Sequence, residues 1–410
     1  MKMPCAVGVD IGGGHIGCGL VTASGEILNF VESSIPDVTT LTLEVLTEKI
    51  GELIASVREG RERETIVAVG IGCPGQSRRG VLVAASNLPT LKKVPLADSV
   101  SRFLGGMPTT LMNDADAAMA AEMWSSCGAS SGKYANVQHA AMLTLGTGIG
   151  SGIMLNGKMH EGANGLIEAG HMIVNPLMGR KCGCGQVGCA ESHSSAFNTA
   201  LRMNEVLVTQ PGGNANLVKN AKDVYRRAAK GDMAAQSTLD ATIEYLAILC
   251  VNICRVIDPE VIILAGGMAR AGDALLLPLR KRVLDRSWKI LPTDVQIELG
   301  GNVERAGVVG AALAALKNAE EAGSPGNAAG GDRLTKSRPI WRGVAAAAAV
   351  TLTAAATVLA VQALPREWRD GGLRLPTSDM IRSLDNQNKI FGAQLLLSTA
   401  GLLGIYGLNK

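Results

Sequence analysis

Up to about residue 318 the apolar positions follow two alternating rhythms, one of short continuous runs and one of helical spacing. Cys5-Ala-Val-Gly-Val-Asp10 predicts a buried strand that ends in an acid and three glycines. Gly19-Leu-Val-Thr and Ile27-Leu-Asn-Phe-Val flank Ala23-Ser-Gly-Glu26, a hairpin with a glycine turn. From Leu41 to Glu59 the apolar residues Leu43, Leu46, Ile50, Ile54 and Val57 predict a helix. Ile66-Val-Ala-Val-Gly-Ile-Gly72 is a further buried strand, closed by Cys73-Pro74-Gly75. A second cycle opens at Ala140-Ala-Met-Leu-Thr-Leu-Gly146 and includes Val261-Ile-Ile-Leu-Ala265, which ends in Gly266-Gly267. Strands alternating with helices place the body in the α/β class. No fixed repeat of roughly 20–50 residues marks a solenoid; what recurs is a glycine turn after an apolar strand.

The rhythm stops near 319, where Ala319-Glu-Glu-Ala-Gly-Ser-Pro-Gly-Asn-Ala-Ala-Gly-Gly reads as a flexible linker, extended to 340. Residues 341–410 form a hydrophobic tail with two uncharged runs, 344–364 and 391–408. The first is long enough to cross a bilayer core of about 30 Å. Ten of its 21 residues are Ala and only seven are Val or Leu, so its insertion energy is marginal. A membrane hairpin or single anchor is the expectation. A partner-packed helical hairpin and a disordered Ala-rich tail remain alternatives. Basic residues flank the first run on both sides, which leaves orientation open.

Charge adds an exclusion. The formal net charge is +3, and residues 319–410 account for it with ten Lys/Arg against seven Asp/Glu. The body before them is neutral, with no basic stripe, so nucleic acid is not an expected partner. Nine Cys, three of them within 182–189, do not resemble a secreted disulfide framework. Nothing before Cys5 reads as a signal peptide, which points to a reducing compartment.

The glycine turns carry the first chemical signal. Phosphate oxygens need several converging backbone N–H groups, which a side chain would obstruct. Asp10-Ile-Gly-Gly-Gly-His15 and Leu145-Gly-Thr-Gly-Ile-Gly-Ser-Gly152 both offer this after strands. Gly12-x-Gly14-x-x-Gly17 also matches the dinucleotide fingerprint, but that reading needs a helix next and the pattern gives a hairpin. Gly152-Ile-Met-Leu-Asn-Gly157-Lys158 nearly matches a P-loop, yet Met159 replaces the needed hydroxyl, so a hairpin turn is expected.

The second signal is Asn113-Asp114-Ala-Asp116-Ala-Ala-Met-Ala-Ala-Glu122, opening a helix. Asp114 is either a cap for free N–H groups or a carboxylate placed to accept a proton from a hydroxyl, with Asn113 orienting the substrate. The third is His171 with Cys182-x-Cys184-x4-Cys189: one imidazole and three thiols, a standard closed structural zinc set. Such a site orders a loop and leaves no open position for water. Glu168 and Glu191 stand beside it as possible holders of sugar hydroxyls or as ordinary surface acids.

These stretches resemble the ROK family (repressor, open reading frame, kinase) of sugar kinases and sugar-responsive repressors. The match runs from about residue 5 to 318, through Asp10-Ile-Gly-Gly, Gly72-Cys-Pro-Gly75 and Asn113-Asp114-Ala-Asp-Ala-Ala. It continues through Leu145-Gly-Thr-Gly-Ile-Gly-Ser-Gly, Glu168-Ala-Gly-His171, the 182–191 cysteine block and Leu264-Ala-Gly-Gly-Met. The resemblance implies an actin-like (ribonuclease H-like) α/β fold whose two domains close on a cleft. One domain would span 1–115 with about 300–318, and the larger 116–299. It implies a hexose kinase using ATP and Mg²⁺ with structural Zn²⁺, and Asp114 as catalytic base toward the sugar 6-hydroxyl. Asn87, Asn113, Asp114, Glu168, His171 and Glu191 would contact sugar, and His171, Cys182, Cys184 and Cys189 would hold zinc. Asp10, Gly12 and Gly13 would face Mg²⁺ and phosphate. Thr147 and Gly148 would form the second phosphate turn, and Gly266 and Gly267 would border adenosine.

Glucose is the expected acceptor, with N-acetylmannosamine, N-acetylglucosamine or fructose as alternatives and a sugar-binding sensor or scaffold as the other class. A homodimer facing the cytosol, anchored by its tail, completes the expectation. Two departures stand out. Many members carry Thr where this chain has Gly14, which removes one phosphate contact. The repressors' N-terminal helix-turn-helix module is not seen ahead of the first strand, which argues against DNA binding.

Overall fold

The computed structural model describes residues 4–323 apart from 13, 36, 86, 126–131, 211–215, 291–293 and 302. Gly13, the linker beyond 323 and both apolar runs, 344–364 and 391–408, lie outside the described residues. Residues 1–324 form one compact unit.

In chain order the first part contains β1 (Pro4–Ile11), β2 (His15–Thr22), β3 (Ile27–Ser34), α1 (Leu43–Arg58) and β4 (Thr65–Cys73). Then come β5 (Gln76–Arg78), β6 (Val81–Ala84), α2 (Leu96–Phe103), β7 (Thr109–Asn113) and α3 (Asp114–Trp124). The second part contains β8 (Ala140–Leu145), β9 (Ile149–Leu155), β10 (Lys158–Met159), α4 (Ala190–Ser194), α5 (Ala196–Val208) and α6 (Ala221–Ala228). It ends with α7 (Met233–Ile257), β11 (Val261–Ala265), α8 (Asp273–Arg286), β12 (Gln296–Leu299) and α9 (Ala306–Gly323).

Two five-stranded sheets result, ordered β3-β2-β1-β4-β7 and β10-β9-β8-β11-β12. They share one plan. The first strand of each pairs antiparallel with the next in sequence and parallel with a later strand. The turns after β1 and β8 are therefore topological equivalents, and both are hairpin turns. The strand directly after Gly12–Gly14 rules out the dinucleotide fingerprint, which requires a helix there. The near P-loop is the β9–β10 turn, with Asn156 and Gly157 both at positive φ (52° and 70°).

Apolar faces explain the layers. Leu46, Ile50, Leu96 and Val100 of α1 and α2 pack with Val7, Val9 and Ile71 on one face of the first sheet. Leu246, Leu249 and Cys250 of α7 cover Leu143, Ile262 and Leu264 in the second. Helices α3 and α9 occupy the other faces, α9 with Val308 and Ala312 against Ala6 and Val21, and α3 with Met119 and Met123 against Met142 and Ile263. Backbones touch here. A Cβ at Gly8 or Gly70 would collide with the carbonyls of Val308 or Ala311, and one at Gly310 with the carbonyl of Ala117. Strand interiors disfavour glycine, so Gly8 and Gly70 are occupied by glycine because a helix lies directly on them.

Helix α9 continues past 319, where the linker was expected to begin, and ends at Gly323. Ala and Glu are good helix formers, so the change in composition at 319 does not break the helix. Glu321 is tied to Lys158 at 2.7 Å. Among the described residues no helix is long and apolar enough to cross a membrane.

Candidate active site

Carboxyl ends of strands are where such sheets bind ligands. Asp10 is at the end of β1, between Gly17 of β2 and Gly72 of β4. Burial, with Asp114 and Glu32 nearby, pushes its carboxyl up to about 6. The following turn is closed by Gly12 N–H donating to the His15 carbonyl at 2.9 Å. Asn87 Nδ2 donates to the Gly12 carbonyl at 3.0 Å, and among the described residues its buried Oδ1 has no hydrogen-bond partner.

Asn113 and Asp114 divide two roles that the sequence left open. Asn113 is the N-cap of α3: its Oδ1 accepts from Ala115 N–H at 2.8 Å and its Nδ2 donates to the Gly75 carbonyl at 2.9 Å. Asp114 is the first helical residue and also accepts from Ala115 N–H, at 2.9 Å through Oδ1. Capping is thus already supplied by the neighbour, and Asp114 faces the cleft. Protein crowding around it raises its pKa, opposed by the bond from Ala115.

The turn after β8 is closed by Gly146 N–H donating to the Gly148 carbonyl at 3.0 Å. Gly266, at φ 85°, packs against the Leu145 backbone, and Gly267 opens the short 3₁₀ turn that follows. Asp114, Thr147, Gly148, Glu168, His171 and Glu191 line one cavity of about 290 Å³, with Gly266 at its edge. Asp10, Gly12, Asn87, Asn113 and Gly267 are not on its wall.

Sequence reasoning passed over two acids. Asp116 lies inside the quoted helix-opening motif and is pushed up to about 8 by burial, then by Glu161, Glu168 and Asp114. Glu161, which no motif flagged, is raised by burial, and Glu168 by burial with Asp114 and Glu191 against the opposing pull of His171. Burial raises the carboxyls of Asp10, Asp114, Asp116, Glu161 and Glu168, and so many acids close together make a region that favours cations and hydroxyl donors.

Behind the cavity, the donor atoms of His171, Cys182, Cys184 and Cys189 lie within 4.8 Å of one another. Cys182 Sγ is 3.5 Å from His171 Nδ1, and Cys184 Sγ is 3.6 Å from Cys189 Sγ. A tetrahedron with Zn–S of about 2.3 Å and Zn–N of about 2.0 Å has edges of about 3.5–3.8 Å. The set therefore fits one tetrahedral ion. Both sulfur–sulfur distance and donor chemistry differ from a disulfide, whose bond is about 2.05 Å.

The sequence model of the ROK family matches residues 6–318. The chain belongs to the ROK family. It is 34% identical over 323 residues to a glucokinase of Thermotoga maritima, covering 75% of this chain and 95% of that one. A ROK family glucokinase from Streptomyces griseus, solved in complex with glucose and AMPPNP, matches with a TM-score of 0.59 at 28% identity, over 76% of this chain and 99% of that one. ROK hexokinase from Thermus thermophilus gives 0.62 at 28% identity, over 77% and 99%. The ROK fold is the actin-like, two-domain α/β fold, and the duplicated sheets described above are its two halves.

Proposed function

We propose that this ROK protein is an ATP-dependent hexose kinase that transfers the γ-phosphoryl group to the 6-hydroxyl of glucose. The observation that carries the reading is the single cavity in which Asp114 faces the Thr147–Gly148 turn across Glu168, His171 and Glu191. Asp114 takes the proton as the sugar oxygen forms its bond to phosphorus and the bond to the ADP oxygen breaks. Its raised pKa makes it a better proton acceptor than an ordinary surface carboxylate. Glu168, His171 and Glu191, with Asn87 and Asn113, hold sugar hydroxyls. The turns at Gly12 and at Thr147–Gly148 present backbone N–H groups to phosphate, and Gly266–Gly267 border the adenosine. Asp10 holds Mg²⁺, which neutralises phosphate charge when bound. His171, Cys182, Cys184 and Cys189 would hold a structural zinc ion, which would fix the loop leading into α4 and Glu191.

The glucokinase and hexokinase relatives support glucose; N-acetylmannosamine, N-acetylglucosamine and fructose are the alternative acceptors within the same chemistry. Gly14 favours a second reading, a sugar binder with little turnover, because the first turn lacks a hydroxyl for phosphate.

Two measurements on the full chain test this. ADP release with ATP, Mg²⁺ and a hexose panel should depend on glucose and fall by about 10²–10⁴ in Asp114→Asn. No turnover with any hexose, from folded protein, would leave the sensor reading standing. Metal analysis of the same preparation should return one zinc per chain, and well under one would sink the zinc assignment.

A further inference from the structure

Glu191 has a second connection, which points away from the sugar. Its Oε2 accepts the backbone N–H of Ile149 at 3.0 Å, at the first residue of β9 directly after the β8–β9 turn. Its Oε1 lies 3.6 Å from Cys182 Sγ, on the metal-ligand loop. The carboxylate also fills the space beside Gly148: a Cβ there would collide with Oε2. Two further bonds tie the same pieces together. Asn198 Nδ2 donates to the Glu191 carbonyl at 3.1 Å, and Ala196 N–H at the start of α5 donates to the Gly146 carbonyl at 2.9 Å. Both neighbours of the turn are therefore held from the α4–α5 segment that directly follows Cys189.

We infer that Glu191 is a positioning residue for the nucleotide turn: its carboxylate sets the Gly146–Ile149 backbone, and with it the N–H groups offered to ATP phosphate. The inference rests on the kinase reading and adds a nucleotide-side role to a residue otherwise assigned to sugar. A charge-assisted bond to a backbone N–H is among the stronger hydrogen bonds, and it is directional enough to fix a glycine-rich turn. The absence of a side chain at Gly148 then has a cause inside the protein, as room for Glu191, besides any approach of phosphate.

The test is steady-state kinetics of the full chain at saturating glucose, with Glu191→Ala, Glu191→Gln, Gly148→Ala and the Gly148→Ala/Glu191→Ala double variant. Losing a charged hydrogen bond corresponds to about ten- to a hundredfold, so Glu191→Ala should raise KM for ATP by that factor. Glu191→Gln keeps an acceptor oxygen for Ile149 and should recover most of the ATP effect, whatever it does to KM for glucose. Gly148→Ala should cost much less in the Glu191→Ala background than in wild type, because the colliding carboxylate is gone. Thermal unfolding of each variant accompanies the kinetics. An unchanged KM for ATP in Glu191→Ala, or full additivity of the double variant, overturns the positioning role while leaving the kinase intact. Wild-type protein without hexose-dependent turnover would instead overturn the kinase reading itself.

Discussion

The turns after β1 and β8 occupy equivalent places in two sheets of one plan, yet their surroundings differ. At the first, Asn87 holds the Gly12 carbonyl at 3.0 Å and Ile35 N–H donates to the Gly14 carbonyl at 3.0 Å. A Cβ on Gly14 would meet nothing within 4 Å. At the second, Glu191 and Ala196 hold the turn, and a Cβ on Gly148 would meet Glu191 while one on Gly170 would meet the Ile149 carbonyl. A glycine in a phosphate-type motif can thus be free of any packing requirement, as at Gly14, or have its empty side filled by another side chain of the protein, as at Gly148.

A difference in the effects of two substitutions follows from that contrast. Gly148→Ala should raise KM for ATP by about tenfold or more, since it displaces a carboxylate that makes a hydrogen bond to the turn. Gly14→Ala should change it by less than about threefold, an exposed loop substitution without strain. Gly14→Thr sharpens the comparison: it has room, restores a hydroxyl acceptor and donor, and should lower KM for ATP. Steady-state kinetics on the three variants check this. Equal effects at Gly14 and Gly148 would erase the distinction.

How much of this was legible beforehand varied with how local the cause was. The strand ends, the glycine turns and the Cys182–Cys189 block could be placed because each is fixed by neighbours in sequence. The ambiguity at Asn113-Asp114 could not be resolved that way. Either side chain can cap, and only the geometry assigns the cap to Asn113 and turns Asp114 to the cavity. Gly8 and Gly70 signalled a close approach, but the partner, α9, lies more than two hundred residues away in sequence. Glu161 had no motif around it, and its nearness to Asp116, forty-five positions away, is set by the fold and not by local sequence. Glu191 was legible as a site residue but not as a link between turns, because Ile149 is forty-two positions away.

Both turns have acids around them, and this predicts a smaller effect on stability. The acids near the β1 turn and on α3 repel one another: Asp10 is raised to about 6 by burial, Asp114 and Glu32, and Asp116 to about 8 by burial, Glu161, Glu168 and Asp114. For Asp116 the folded value is above the ordinary 3.8. Between about pH 4 and pH 8 the folded chain therefore keeps a proton that the unfolded chain gives up, and stability falls as pH rises through that window. Below it both states are protonated and the penalty vanishes. Asparagine cannot ionise, so Asp116→Asn should gain about 1–2 kcal/mol over wild type at pH 7.5 in ligand-free urea unfolding, and nearly nothing at pH 4. Asp10 contributes with the same sign over a narrower range, ending near pH 6. A variant less stable than wild type at pH 7.5 would mean that Asp116 is ionised and favourably paired in the fold. The acid cluster would then be a set of partnered charges, and its preference for cations and hydroxyl donors would lose its physical basis.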